Sequence, residues 1–313
     1  MSEKIDRAAG LPHRKKETRR SVIIADRIAD WTITVGGLFV ILAVFGIMAF
    51  LAQVVVPLFT GGHLEGRVTH PLARADAVAL SVSTDDYMTL GLKIGQAGTV
   101  QVFHLATGKP LQGLAYDFGG ATVTGFGRSP KREDVAFGFA DGTVRFGQVR
   151  MAVQVLPADQ LPAGLTRLDD RDSTDGKAVY SRIAGNQIRR IVPEVALDPA
   201  TKVADDGSAI VALDVRVGGT VERPVRSFVS VDANGIARLS TTESRVNMLT
   251  RQVRTDTRTA TLPGLPAGTK VKSVLMTEKA DQVYVGDPGG TIYRFDTRDF
   301  AKPVLAEAVD LLG

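Results

Sequence analysis

No cysteine occurs anywhere in the 313 residues, so disulfides, thiolate metal sites and cysteine nucleophiles are all excluded. Tryptophan is almost as scarce, with Trp31 alone. Charge is missing from one block: residues 31–62 contain no Asp, Glu, Lys or Arg. Several chemical motifs are missing as well. No Gly-x-x-x-x-Gly-Lys-Ser/Thr run is present to cradle a nucleotide phosphate, and no Gly-x-Ser-x-Gly elbow to present a serine nucleophile. The four histidines, His13, His63, His70 and His104, are scattered without His-Glu-x-x-His spacing. They read as surface or turn residues rather than zinc ligands. The run Asp169-Asp170-Arg171-Asp172 with Asp175-Gly176 misplaces the glycine and final acid of a calcium loop, and reads as a solvated acidic turn. The expectation is therefore no catalytic, cofactor-binding or metal residue, no cofactor, and no enzymatic activity.

What is present begins with an uneven distribution of charge. Residues 1–30 carry eight Lys or Arg against five acids, while the 251 residues after position 62 carry 30 basic and 29 acidic groups. The high isoelectric point thus belongs to the N-terminal tail, and the near-neutral remainder argues against a nucleic-acid partner.

Between tail and remainder lies Trp31 to Phe59, WTITVGGLFVILAVFGIMAFLAQVVVPLF, whose most polar side chain is Gln53. About 20 apolar residues cross a bilayer, so this run spans with tilt. A buried helix of a soluble protein and a cleavable signal peptide are the alternatives. A signal peptide has an apolar region of about 7–15 residues ending at small side chains. This run is longer and leaves through Val54-Val55-Val56-Pro57-Leu58-Phe59, so it reads as an uncleaved anchor. The basic cluster Arg14-Lys15-Lys16 with Arg19-Arg20 precedes it, which places the N-terminus in the cytoplasm. Ser21 to Trp31 shows a helical apolar stripe that fits either an interfacial helix or the first turns of the spanning one.

After Gly61-Gly62 the pattern becomes short alternating stretches broken by Gly, Asp, Asn and Pro, the signature of strands and turns. A unit recurs: Tyr87–Leu92 with Gly98–Phe103, Val135–Phe139 with Asp141–Phe146, Val179–Ile183 with Gly185–Ile188, Phe228–Val231 with Asn234–Leu239, and Val283–Gly286 with Gly290–Phe295. The marker glycines 98, 142, 185, 235 and 290 are 44, 43, 50 and 55 residues apart. Propeller blades repeat at about 40–45 residues with four strands each, and a turn glycine supplies the positive φ of a tight hairpin. The fold class is mainly β: one N-terminal transmembrane helix followed by a divergent WD40-like β-propeller domain, whose five units either close a small ring or leave a larger one incomplete. A β-sandwich is the alternative. The C-terminal PVLAEAVDLLG reads as a strand entering a further blade. The expected organisation is a basic cytoplasmic tail with interfacial helix (1–30), a transmembrane helix (31–59), a linker (60–75) and a periplasmic propeller-like domain (76–313). Arg245, Arg251, Arg254 and Arg258, and Arg189-Arg190, read as mixed solvated faces beside an anion-binding alternative.

Asp26-Arg27, Asp30-Trp31, Gly36-Gly37-Leu38 and the exit Val54-Val55-Val56-Pro57-Leu58-Phe59 resemble the start of PstC-type phosphate ABC-transporter permease subunits. The likeness is to the long proteobacterial form, with an N-terminal anchor and a propeller-like periplasmic insert. The resemblance covers the anchor closely and the repeats loosely. It implies an inner-membrane protein whose partners are the permease, ATPase and phosphate-binding subunits of the importer. The permease helix bundle and its coupling loop do not occur in these 313 residues, so transport is implied for a complex or a full-length parent. A single-pass envelope scaffold unrelated to transport remains the alternative. An anchored periplasmic hydrolase is a third reading, for which no nucleophile or metal constellation emerges.

Overall fold

The computed structural model describes residues 20–59, 66–71, 78–131, 133–220, 222–246, 250, 252–266 and 269–312. The basic cluster at 14–19, His13, His63, Arg251 and most of the stretch 60–75 lie outside the described residues. The chain divides between Thr69 and His70 into two units, one helical and one built of strands.

In the first unit a single helix, α1 (Arg20–Phe59), runs 40 residues without a break. Residues 21–31 are its first turns. At about 1.5 Å per residue it is about 60 Å long, twice the hydrocarbon thickness of a bilayer. The uncharged run from Trp31 is long and apolar enough to cross that thickness, with the charged first turns preceding it. Every described side chain of α1 is exposed, Phe39 at 72%. A helix apolar on all sides is stable only with lipid or another protein around it. The hydroxyls of Thr32 and Thr34 donate to the carbonyls of Ile28 and Asp30, each at 2.8 Å. That pairing leaves neither hydroxyl unsatisfied in an apolar surrounding.

The second unit is antiparallel sheet. Sheet 1 is the meander β1 (Ala79–Thr84), β2 (Leu90–Gly95), β3 (Thr99–His104) and β4 (Leu114–Ala115). Sheet 2 starts in the same way with β5 (Val123–Arg128), β6 (Asp134–Phe139) and β7 (Thr143–Pro157). β7 then overshoots its neighbour, because β6 pairs with it only as far as Asp134↔Gln148. The chain makes an excursion through β8 (Thr166–Arg167), β9 (Asp172–Thr174) and β10 (Val179–Ile183) before it returns as β11 (Gln187–Leu197). β11 runs back along β7 from Gln187↔Pro157 to Leu197↔Gly147, and β12 (Thr201–Lys202) continues on the same edge. All eight strands therefore form one sheet. Sheet 3 is β13 (Ile210–Gly219), β14 (Pro224–Asp232), β15 (Ala237–Val246) and β16 (Val253–Thr261). Sheet 4 is β17 (Ser273–Met276), β18 (Gln282–Gly286), β19 (Thr291–Asp296) and β20 (Val304–Asp310).

Two expectations change here. The third repeat is no separate unit: its hairpin β10–β11 belongs to the same sheet as the second, attached through the long β7–β11 ribbon. The C-terminal strand does not enter another unit, since β20 pairs with β19 and completes sheet 4. The turn glycines behave as their spacing predicts. Gly98, Gly142, Gly185, Gly235 and Gly290 all have φ between +77° and +93°, a region closed to most side chains.

The first strands of the sheets, β1, β5, β13 and β17, come together around a pocket of about 260 Å³. Outward from it, apolar clusters join neighbours in a row. Leu90, Leu92 and Val102 pack with Val123 and Phe137 between sheets 1 and 2. Ala136 and Val144 meet Ile210 and Leu213 between sheets 2 and 3. Val229 and Leu239 meet Val283 and Phe295 between sheets 3 and 4. Among the described residues no such cluster joins sheet 4 back to sheet 1, and the outer face of sheet 4 is open, with Leu275 56% exposed.

The row depends on close backbone approach. A Cβ placed on Gly125 or Gly127 of β5 would lie 2.7 Å from the carbonyl oxygens of Ile210 or Leu213 in β13. Backbone cannot step aside as a flexible side chain can. Gly127→Ala is expected to destabilise the domain by about 1–3 kcal/mol, lowering Tm by about 2–4 °C per kcal/mol. Gly113→Ala, whose Cβ would find its nearest neighbour at 3.6 Å, should leave thermal unfolding near wild type. Equal Tm values for both variants would contradict this account of the β5–β13 contact.

Candidate functional site

Alternation along β3 places Val100, Val102 and His104 on one face, and all three are buried, His104 completely. The strand that carries its neighbours into the core thus carries an imidazole with them. The ring is met by polar groups on both sides. Nδ1 lies 2.9 Å from the Thr107 hydroxyl. Nε2 lies 3.0 Å from Asp172 Oδ2 and 3.5 Å from Asp169 Oδ2. Both aspartates come from the excursion of sheet 2, so the cluster ties the end of β3 to the β8–β9 turn.

That turn is built to present its carboxylates. The amides of Leu168 and Asp169 donate to the Asp172 carbonyl at 2.9 and 3.2 Å. Asp169 Oδ1 accepts the amides of Arg171 and Asp172, both at 2.8 Å, which turns Oδ2 toward the ring. Burial pushes the Asp169 carboxyl up, but those two amides, with the electrostatic pull of the neighbouring His104 and Arg171, outweigh it and hold the group below its usual range. Lys109 Nζ straps the turn by donating to the carbonyls of Arg167 and Leu168. Asp172 is the more enclosed of the two carboxylates: its side chain is 7% exposed, and its Oδ1 is buried without a hydrogen-bond partner.

The reading of the histidines as surface or turn residues is thus corrected for His104. Its signal was in the sequence, as the third member of Val-x-Val-x-His. His70 is partly buried, with Nε2 enclosed and unpaired. The acidic turn is solvated only in part. Asp170 is 98% exposed and pairs with Arg167 at 2.6 Å. Asp175 instead binds the amides of Lys177 and Ala178 and accepts the Tyr180 hydroxyl.

The arginine groups are spread among other partners. Register sets Arg245 opposite Arg254, Glu243 opposite Asp256 and Thr241 opposite Arg258 on the β15–β16 hairpin. Glu243, Asp256, Arg245 and Arg254 together line a pocket of about 340 Å³, a mixed face rather than an all-basic one. Arg189 lies over the Tyr87 ring at 3.9 Å, and Arg190 donates to Gln154 at 2.9 Å.

A second buried polar group escaped the sequence reading. On β13, Asp214 and Arg216 pair at 2.7 Å with both side chains 8% exposed. Together they grip the backbone of one residue of the neighbouring sheet. Asp214 Oδ2 accepts the Met276 amide at 2.7 Å, and Arg216 Nη2 donates to the Met276 carbonyl.

No protein-family model matches the chain, and no curated protein does. Among solved structures it is similar to the β-propeller domain of Cps50 (Swd1) from Myceliophteria thermophila. Identity is 10% and the TM-score 0.38, over 76% of this chain and 56% of that one. It is also similar to Raptor from Chaetomium thermophilum, with 12% identity and a TM-score of 0.36, over 74% of this chain and 16% of that one. The chain thus spans little more than half of the first structure and a small part of the second. The fold rests on the sheets themselves.

Removing Asp214 would leave the buried guanidinium with the more distant Glu278, at 3.9 Å, as its carboxylate partner, and would free the Met276 amide. Asp214→Ala is expected to cost about 3–5 kcal/mol, the usual penalty for breaking a buried pair from one side. Removing both charges in Asp214→Ala/Arg216→Met should recover a large part of that loss. Urea unfolding of the two variants checks this, and a double variant no more stable than the single would contradict it.

Proposed function

We propose that this chain is a membrane-anchored component of a phosphate-type ABC importer, its β-domain serving as an interaction module on the periplasmic side of the bacterial inner membrane. The observation that carries the reading is α1. The residues that resemble the permease family, from Asp26-Arg27 to the Val54–Phe59 exit, all stand on that one uninterrupted, exposed helix. Its length and apolarity suit an anchor, and the basic residues before it favour a cytoplasmic N-terminus.

The β-domain is read as a propeller of WD40-like type. Support comes from four-stranded meanders, from first strands gathered at one pocket, and from hairpin glycines at the turns between central strands. Such a domain offers rigid loop rims on which other subunits dock. Its role in this reading is to hold or receive importer subunits, with translocation left to them.

Two measurements test the reading. Reporter fusions should place the N-terminus in the cytoplasm and Gly313 on the other side. Cross-linking in intact cells, mild-detergent extraction and mass spectrometry should recover the permease and ATPase subunits of a phosphate importer with the chain. Folded, intact protein recovered without any of them would overturn the importer assignment and leave a free-standing anchored scaffold.

A further inference from the structure

We propose that His104, Asp169 and Asp172 form a binding site for one divalent transition-metal cation of the zinc class, locking the β8–β9 turn onto the end of β3. The three side chains offer one imidazole nitrogen and two carboxylate oxygens, all within 4.8 Å of one another. The separations from Nε2, 3.0 and 3.5 Å, bracket the edge of about 3.3 Å that a tetrahedron with bonds of about 2.0–2.1 Å has. Such a mixed nitrogen and oxygen set suits zinc and its first-row neighbours better than calcium or magnesium, which take oxygen alone.

Two further observations separate this cluster from an ordinary histidine–aspartate contact. The first is the Asp172 carboxylate, whose Oδ1 is enclosed and has no hydrogen-bond partner. A buried carboxylate oxygen left unpaired is costly, and a cation beside the group removes that cost. The second is charge. Two carboxylates converge on one imidazole nitrogen, and among the described residues no lysine or arginine pairs with either carboxylate. Arg171 acts on Asp169 only from a distance, and Lys109 is turned to carbonyls.

The surroundings complete the set. Thr107 stands at Nδ1, where a metal-binding imidazole finds a partner that fixes its tautomer and ring orientation. Asp169 is 28% exposed, which gives a cation and a water ligand a way in from solvent. A cation bound there joins strands of two sheets, so it stabilises the folded domain by mass action.

The test uses the tag-free full chain in detergent, stripped with a chelator and titrated with zinc chloride by calorimetry, with thermal unfolding in parallel. Expected are one zinc per chain, a Tm that rises with zinc, and visible absorption bands of a tetrahedral site when cobalt replaces it. Asp169→Asn, at a partly exposed position that tolerates an isosteric change, should weaken binding at least about tenfold and abolish the Tm rise. His104→Gln should do the same where it folds. Asp170→Asn, next in sequence but turned to solvent, should bind like wild type. Folded wild type that takes up no zinc saturably would overturn the proposal. So would an Asp170→Asn loss equal to that of Asp169→Asn, which would reduce the site to a diffuse acidic turn.

Discussion

Three glycines set the spacing of the β-domain. Gly125 and Gly127 on β5 and Gly138 on β6 all face β13, and a methyl group on any of them would lie 2.7 Å from Ile210 or Leu213. Sheets that pack face to face are held about 10 Å apart by side chains. Glycines at the crossing point let one strand come closer than that. The rest of the row inherits this contact, because β13 is also the strand from which Asp214 and Arg216 reach sheet 4. If β13 moved outward, the grip on Met276 would be lost with it.

Each junction between sheets combines an apolar cluster with a buried or half-buried polar tie. Between sheets 2 and 3, Arg226 lies over the Phe146 ring at 4.4 Å and pairs with Asp198 at 2.9 Å. Between sheets 3 and 4 the tie is Asp214 with Arg216, and between sheet 1 and the excursion it is His104 with its aspartates. The apolar clusters supply most of the burial free energy, at about 25 cal/mol per Å², but are tolerant of sliding. The polar ties fix register, since a displaced strand would leave a charge enclosed without its partner.

Much of this order was legible in the sequence, and the limits follow from what strand patterns encode. Period-2 alternation and a turn glycine identify a hairpin, so Gly98, Gly142, Gly235 and Gly290 marked their turns correctly. The same signal does not say which edge a hairpin joins. β10–β11 has the alternation of the other repeats, and only the overshoot of β7 beyond β6 makes it an extension of sheet 2. Likewise β20 alternates as a strand that opens a new sheet would. His104, Asp214 and Arg216 were missed because polar side chains on alternating strands read as solvent-facing. For His104 the in-phase valines at 100 and 102 showed otherwise.

The excursion is the part of the domain with the least to hold it. Its own apolar cluster is small, formed by Ala178, Tyr180 and Ile188, and its strands β8 and β9 span two and three residues. It borrows stability in two places. Leu168, Val179 and Ile191 enter the cluster of sheet 1, and the Gln112 amide donates to the Gly176 carbonyl at 2.7 Å. Loss of the contacts to sheet 1 would leave the excursion attached by the β7–β11 ribbon alone, a two-stranded element that is marginal in water on its own. The His104 cluster stands at that seam beside the Lys109 strap, and these polar ties hold the two elements together. Opening there would expose one turn and one strand end while the glycine-spaced row of sheets stayed intact, so local opening and global unfolding of this domain are governed by different residues.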